Sequence, residues 1–331
     1  MRLENVLALT HGSLKSQPHI SDFSDIIIEA KRVKRGSLFI ALNHYDIALA
    51  LENGAYGIIY ERAMIVPDDE SAWIKVEDIY DALKRLMRFL LIDKELSAFT
   101  CKPIILQIAK QLSIANELII LEGSLSENFS KLLMAPLNSI LLFSEKEMDS
   151  ALFTTTQELP LVQESQIKIL EQTLFESAFS YKDLYYERQL LSPFFLPYLE
   201  QLLSLLSSHH ISFKIRPFMS MPHFQATFVN SSLHVKSFGT TNQVVIFESD
   251  PSLVHEQIRF INRQASWAKC ICLCPTNENS ELKDENIIRY KSENEALDIL
   301  KATAFHFALV VGIEPSLLDQ QDDYLVQQTL F

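Results

Sequence analysis

Short apolar runs alternate with helically spaced stretches along most of this 331-residue chain. Residues 26–28, 38–42, 57–60 and 73–76 are apolar runs of strand length. Residues 4–9 and 45–52 carry helical spacing, the second closed by Asn53-Gly54, a good helix-ending pair. Asp78 is placed to cap a longer helix whose apolar face is Leu83, Leu86, Met87, Leu90 and Leu91. That alternation predicts one α/β unit over residues 1–95. Residues 96–190 are less regular. There the pattern predicts a helix over 104–112, a buried strand over 117–121 and a strand over 139–143. Residues 122–131 form a glycine turn that runs into an apolar helix.

Pro193 and Pro197 mark a boundary, and Leu199, Leu202, Leu203 and Leu206 follow at helical spacing. Over residues 191–315, strands are expected at 213–216, 226–229, 243–247, 267–274 and 287–290. Helices are expected after Pro251 and from Asn294. This rhythm predicts a C-terminal α/β domain with some parallel pairing. Residues 316–331 are expected to be a flexible acidic tail.

The stretch 28–42, IEAKRVKRGSLFIAL, places Lys31, Arg32, Lys34 and Arg35 just before Gly36 and a buried strand. It resembles the D-S-R-x-V-x-x-G-D-L-F-[VI]-A signature of the N-terminal domain of Mur ligases, nearest the branch that adds D-Ala-D-Ala. Val33, Gly36, Leu38, Phe39 and Ala41 match, while Glu29, Ala30, Lys31 and Ser37 depart from it. Residues 53–59 (NGAYGII) and 74–78 (IKVED), with Ala82-Leu83, are similar to later pieces of the same domain. The resemblance implies a Mur-ligase-like N-terminal α/β domain (1–95), a reduced, degenerate P-loop-like central α/β region (96–190) and a Rossmann-like α/β domain (191–315). It also implies binding of the uridine nucleotide of a cell-wall precursor. The family's Ser and Arg contacts fall on Ala30 and Lys31, which lack the hydroxyl and the planar fork. Lys31, Arg32, Lys34 and Gly36 are the candidate substrate-binding residues. The cluster either meets a diphosphate through charge-assisted bonds or is a solvated basic turn.

Gly123, Ser124, Ser126, Glu127 and Asn128 align with the Mur ligase phosphate loop T-G-S-x-G-K-T-T. Ser126 stands for the second glycine, Glu127 for the lysine that pairs with the phosphates, and Asn128 for the magnesium-binding hydroxyl. Exchanging Lys for Glu changes the local charge by two units. At ~4 Å and an effective dielectric of about 20, that opposes a polyphosphate by several kcal/mol. Lys131 lies one turn behind the helix start. Neither an acidic pair nor a histidine stands where the family holds magnesium and a carbamylated lysine. The turn is then a phosphate loop that has lost ATP, or an unrelated strand–turn–helix; no cofactor, metal or catalytic residue is assigned.

Composition narrows the partners. Lys and Arg number 29 against 42 Asp and Glu, a net −13 that argues against nucleic acid and anionic membranes. Apolar runs are too short to span a bilayer and the N-terminus is a poor signal peptide. Four cysteines, three of them at 270, 272 and 274 on one strand face, fit a reduced cytoplasmic protein better than a disulfide scaffold or a metal site. Seven glycines leave no G-x-G-x-x-G, and G-x-S-x-G is absent as well. His44, His223, His234 and His255 therefore receive no catalytic role, and His209-His210 suit a helix C-terminus. Residues 247–251 (FESDP) stand, by order, where the Mur ligase C-terminal domain has an acidic strand-end motif. The final residues, with Gln327, Leu330 and Phe331, resemble the Q-x-x-L-F peptide that docks on the sliding clamp; the alternative is a polar tail with a chance apolar end.

The expectation is a cytoplasmic, catalytically degenerate Mur-ligase-like protein that serves as a binding or regulatory factor in peptidoglycan precursor synthesis. Its partner would be a UDP-linked cell-wall precursor or a cell-wall enzyme. The alternatives are an active UDP-N-acetylmuramoyl-peptide ligase-like enzyme with a remodelled site, and an adaptor held on the sliding clamp by its C-terminal peptide.

Overall fold

The computed structural model describes residues 1–146, 148, 152–153, 155–276 and 287–318. The chain forms two compact units, residues 1–160 with 205–214, and residues 161–204 with 215 onward.

The first unit is built on two sheets. One runs in the order Ser13–Leu14, Ala72–Lys75, Gly57–Tyr60, Leu38–Ile40, Ile26–Ile27, all parallel except the antiparallel edge Ser13–Leu14. Its parallel strands are apolar up to Lys75 because both faces are covered, while the edge Ser13–Leu14 is exposed. Leu38, Ile40, Ile59 and Ile74 pack with Leu3, Val6, Leu83 and Leu86 of the helices Leu3–Thr10 and Ile79–Asp93. Their alternates Phe39, Ile58, Tyr60 and Trp73 pack with Ile47 and Ala50 of the helix Ile47–Glu52. Asp78 caps the longer helix as expected, accepting from the N–H groups of Tyr80 and Asp81 at 2.7 and 3.1 Å.

The second sheet is parallel, in the order Gln157–Glu158, Ser97–Thr100, Ile140–Phe143, Leu118–Leu121. Ile140–Phe143 is fully buried. Leu118–Leu121, expected to be a buried strand, is only half-buried over its first three residues. It lies at the sheet edge, with a neighbour on one side only.

The second unit opens with an antiparallel sheet that the hydrophobic pattern does not announce: Ile167–Gln172, Ser177–Tyr181 and Leu184–Gln189. The outer two strands are mostly exposed, Ile169, Leu170, Leu184 and Tyr185 among the exposed side chains. Pro193 heads a buried 3-10 turn, Pro193–Phe195, which feeds the helix Leu196–Ser208. Leu199, Leu202, Leu203 and Leu206 of that helix are fully buried.

A mixed sheet follows, in the order Gln225–Val229, Gln243–Glu248, Phe307–Val311, Cys270–Pro275, Ile287–Tyr290. The first strand is antiparallel and the other four are parallel, flanked by the helices Val254–Gln264 and Glu293–Ala302. The central strand Phe307–Val311 is buried throughout and was not among the expected elements. Two further expectations are corrected. Trp267 is exposed ahead of a strand that starts at Cys270, and the segment from Phe213 forms only a two-residue ladder, Phe213–Lys214 with Ser113–Ile114. The architecture is mixed α/β with parallel sheets, as the sequence pattern predicts. Among the described residues, no helix is long and apolar enough to cross a membrane.

Candidate functional site

The first unit holds a cleft of about 850 Å³, and Lys31, Arg32 and Lys34 line it. Local folding explains why they reach it together. Residues Ala30–Arg32 form a 3-10 turn pinned by the buried side chains of Ala30 and Val33. Ser37 closes the loop: its hydroxyl accepts from Lys34 N at 3.0 Å, and its N–H donates to Lys34 O at 3.0 Å. With the small residues turned inward, the basic side chains are left outside. Arg35 leaves the group, its Nε donating to the Tyr56 hydroxyl at 3.0 Å.

Gly36 does not line the cleft. It has φ = 97°, and a Cβ there would lie 3.1 Å from Ser24 Oγ, so its requirement is conformational. The opposite wall comes from Phe89, Leu90, Asp93 and Lys94 at the end of the Ile79–Asp93 helix and from Leu133 and Met134. No motif marks these residues, since their position depends on how that helix packs. Lys94 is already engaged: its Nζ donates to the carbonyls of Leu132, Leu133 and Ala135 at 3.0, 2.7 and 2.8 Å. Burial pulls its pKa below the usual lysine range. Arg32 makes one exposed contact with Glu29 at 3.7 Å, a weak pair. Lys31 and Lys34 have no ion-pair partner among the described residues.

The Gly123 turn is organised in the opposite way. Strand Leu118–Leu121 passes through Gly123, at φ = 85°, into Ser124, which caps the helix Leu125–Met134. Ser124 Oγ accepts from Glu127 N at 3.3 Å, and the Glu127 carboxylate accepts from Ser124 N at 2.7 Å. This is a capping box, and the S-x-x-E spacing at 124–127 was its signal in the sequence. The carboxylate folds back so far that a Cβ on Gly123 would overlap Glu127 Oε2. The hydrogen bonds from Ser124 hold the Glu127 carboxyl below its ordinary range.

Ser126 Oγ lies 3.1 Å from Ser124 Oγ, and the buried Asn128 donates through Nδ2 to Gly123 O at 3.4 Å. Nearby cations serve the scaffold. Lys131 Nζ donates to Ile120 O and Glu122 O at 2.9 and 3.3 Å, and Lys110 pairs with Glu122 at 2.6 Å. A phosphate loop needs free N–H groups at the helix start and a lysine over them. Here the Ser124 N–H is spent on the chain's own carboxylate, so these residues do not fit ATP and magnesium. Among the described residues, no group of three or more His, Cys, Asp or Glu is placed to hold a metal ion.

The strand-end acid is also committed. Glu248 is fully buried and accepts from His223 Nδ1 at 2.6 Å, Asp250 N at 2.7 Å, Phe224 N at 3.1 Å and the Gln257 amide. Cys272 and Cys274 are buried on one strand with sulfurs 3.6 Å apart, and burial pushes the Cys270 thiol up to about 11. His209, just past its helix, meets Phe99 edge-on at 5.5 Å. Gln327, Leu330 and Phe331 lie outside the described residues.

No protein-family model matches the sequence, and no curated protein matches it. Among solved structures, the chain is similar to MurF from Acinetobacter baumannii at 10% identity and a TM-score of 0.53, over 97% of this chain and 98% of that one. It is also similar to MurF ligase from Thermotoga maritima in complex with ADP, at 13% identity and a TM-score of 0.49, over 92% and 97% of the two chains. The first likeness establishes that the chain shares the α/β fold of MurF.

Proposed function

We propose that this chain is a Mur-ligase-like binding or regulatory protein. It takes a UDP-linked peptidoglycan precursor in the cleft edged by Lys31, Arg32 and Lys34, and it carries out no ATP-dependent ligation. The observation that carries the proposal is the Glu127 carboxylate seated on the Ser124 N–H, at the helix start where a nucleotide triphosphate would bind. The MurF fold supplies the ligand class. At about 850 Å³ the cleft is of ordinary size for a small-molecule site. The unpaired ammonium groups of Lys31 and Lys34 suit a diphosphate, whose oxygens take charge-assisted hydrogen bonds. In this reading residues 1–95, 96–190 and 191–315 correspond to the three domains of a Mur ligase.

Thermal shift with UDP-N-acetylmuramoyl-pentapeptide, UDP and ATP with magnesium tests the proposal. The precursor is expected to raise the melting temperature, and ATP with magnesium to leave it unchanged. Stabilisation by ATP with magnesium, or turnover to a ligated product, would overturn the silent-loop half; no response to the precursor would overturn the binding half.

A further inference from the structure

The second unit contains a polar device that the cleft does not use. His223 and Phe224 immediately precede the edge strand Gln225–Val229, and Glu248 ends the neighbouring strand. The other three partners of the Glu248 carboxylate are N–H donors, an environment that suits an ionised carboxylate accepting from His223 Nδ1 as well. Ser249 Oγ lies 3.3 Å from the same Nδ1. In the neutral ring the bond to Glu248 fixes the tautomer and the orientation, with Nε2 as the acceptor. Among the described residues, Nε2 has no hydrogen-bond partner.

His223 also lines a cavity of about 160 Å³, walled by Phe175, Phe195, Phe224 and Phe238. Phe175 stands 5.8 Å from Phe224 and 6.3 Å from Phe238, and Phe195 stands 6.3 Å from Phe224, centroid to centroid. A cavity near 150 Å³ with an apolar lining is large enough for one benzene-sized ring.

Two features show that this arrangement is held against local preference. Phe224 sits at φ = 47°, a left-handed conformation that a bulky residue rarely adopts. Its N–H is thereby one of the donors to Glu248. Gln257 is fully buried with its Oε1 unpartnered, while its amide serves Glu248. Strained backbone and an incompletely satisfied buried network gather at functional sites. A pair that merely tied two strands together would need neither the left-handed phenylalanine nor an aromatic cavity beside the imidazole.

We propose that this cavity is a binding site for a single hydroxylated aromatic ring of the phenol class. The ring lies among the four phenylalanines, and its hydroxyl donates to His223 Nε2. The chemistry recognised is a flat apolar body with one hydrogen-bond donor at its edge.

The test uses the full chain with p-cresol and 4-methylanisole, which share a shape but differ in the O–H. Ligand-observed NMR titration is expected to show p-cresol bound roughly tenfold more tightly, a factor within the range of one buried hydrogen bond. Ala226→Leu, which fills the cavity without touching the polar network, is expected to abolish binding of both probes. His223→Leu, which carries no hydrogen-bonding group, is expected to erase the preference between them. If Ala226→Leu does not fold, Phe238→Leu replaces it, since that ring is half exposed; it is expected to weaken both probes alike. Equal affinity for the two probes, binding that survives the filled cavity or is unchanged in the thinned one, or no binding of p-cresol at millimolar concentration would each overturn the proposal.

Discussion

Two glycine turns in the first unit look alike in sequence and are organised in opposite ways. Gly36 and Gly123 both take a positive φ, and both stand at the entry to a regular element. At the first, the buried Ala30 and Val33 and the Ser37 hydrogen bonds spend only small groups on closing the loop, so Lys31 and Lys34 remain available on a cleft wall. At the second, the chain supplies its own anion. Glu127 takes the Ser124 N–H, and the surrounding lysines take carbonyls and Glu122. Positive potential at a turn is thus a resource that a ligand can use only where the chain has not already used it.

The largest test of that contrast is the triple substitution Lys31→Ala, Arg32→Ala and Lys34→Ala. Hydrogen bonds to charged groups are worth about 1.5–3 kcal/mol each, less where solvent screens them. Together the three substitutions are expected to weaken UDP-precursor binding by about 100-fold, roughly 3 kcal/mol. Glu127→Ala is expected to leave that affinity unchanged. Isothermal titration of both variants separates the two turns: equal losses would mean that they form one site.

How far these uses could be read from the sequence follows from how local each signal is. Apolar runs at 38–42, 57–60 and 73–76 and the Asp78 cap were legible because burial on both faces and capping leave marks within a few residues. The basic cluster was legible for the same reason, but the cleft it lines was not: Phe89, Asp93 and Met134, which complete it, come from helices far along the chain. The Ser124–Glu127 box is written in four letters, at the same positions that align with a phosphate loop, so one stretch carries two local signals. His223 and Glu248 were each noticed separately. Their pairing spans 25 positions and depends on the register of Gln225 opposite Phe247. The strands Ile167–Gln172 and Leu184–Gln189 leave Ile169, Leu170, Leu184 and Tyr185 exposed, so their apolar residues mark no buried face, whereas Phe307–Val311 is a fully apolar run of strand length.

Stability measurements sharpen the same comparison on a smaller scale. Gly123→Ala places a Cβ at φ = 85° and against Glu127 Oε2, whereas Gly36→Ala meets only Ser24 Oγ at 3.1 Å. The left-handed conformation alone costs an alanine about 1–2 kcal/mol, so both variants should lose at least that in urea denaturation. Gly123→Ala should lose more, because its neighbour cannot withdraw without opening the cap. If the Gly123 variant were no less stable than the Gly36 variant, the carboxylate would not be fixed over the turn. Ser124→Ala, which removes the cap hydroxyl alone, is expected to cost about 1 kcal/mol.

The smallest effect is the most specific. Glu127 has its carboxyl held below the ordinary value of 4.5, first by the Ser124 backbone N–H and then by the Ser124 side chain. A folded-state value below the unfolded one gives stability that is fully present above the unfolded value and is lost as pH falls through the folded one. Urea midpoints taken downward from neutral pH should therefore fall slightly more steeply below about pH 4.5 in the wild type than in Glu127→Gln, whose amide accepts the same bond without titrating. The effect is a small one because the group is exposed to solvent. A double-mutant cycle makes it decisive: Ser124→Ala and Glu127→Gln meet only in the hydrogen bond between the two side chains that helps to lower the carboxyl, so their effects should fall short of additive. Strict additivity would mean that the Ser124 hydroxyl does not hold the carboxylate and that the backbone N–H alone seats it over the turn.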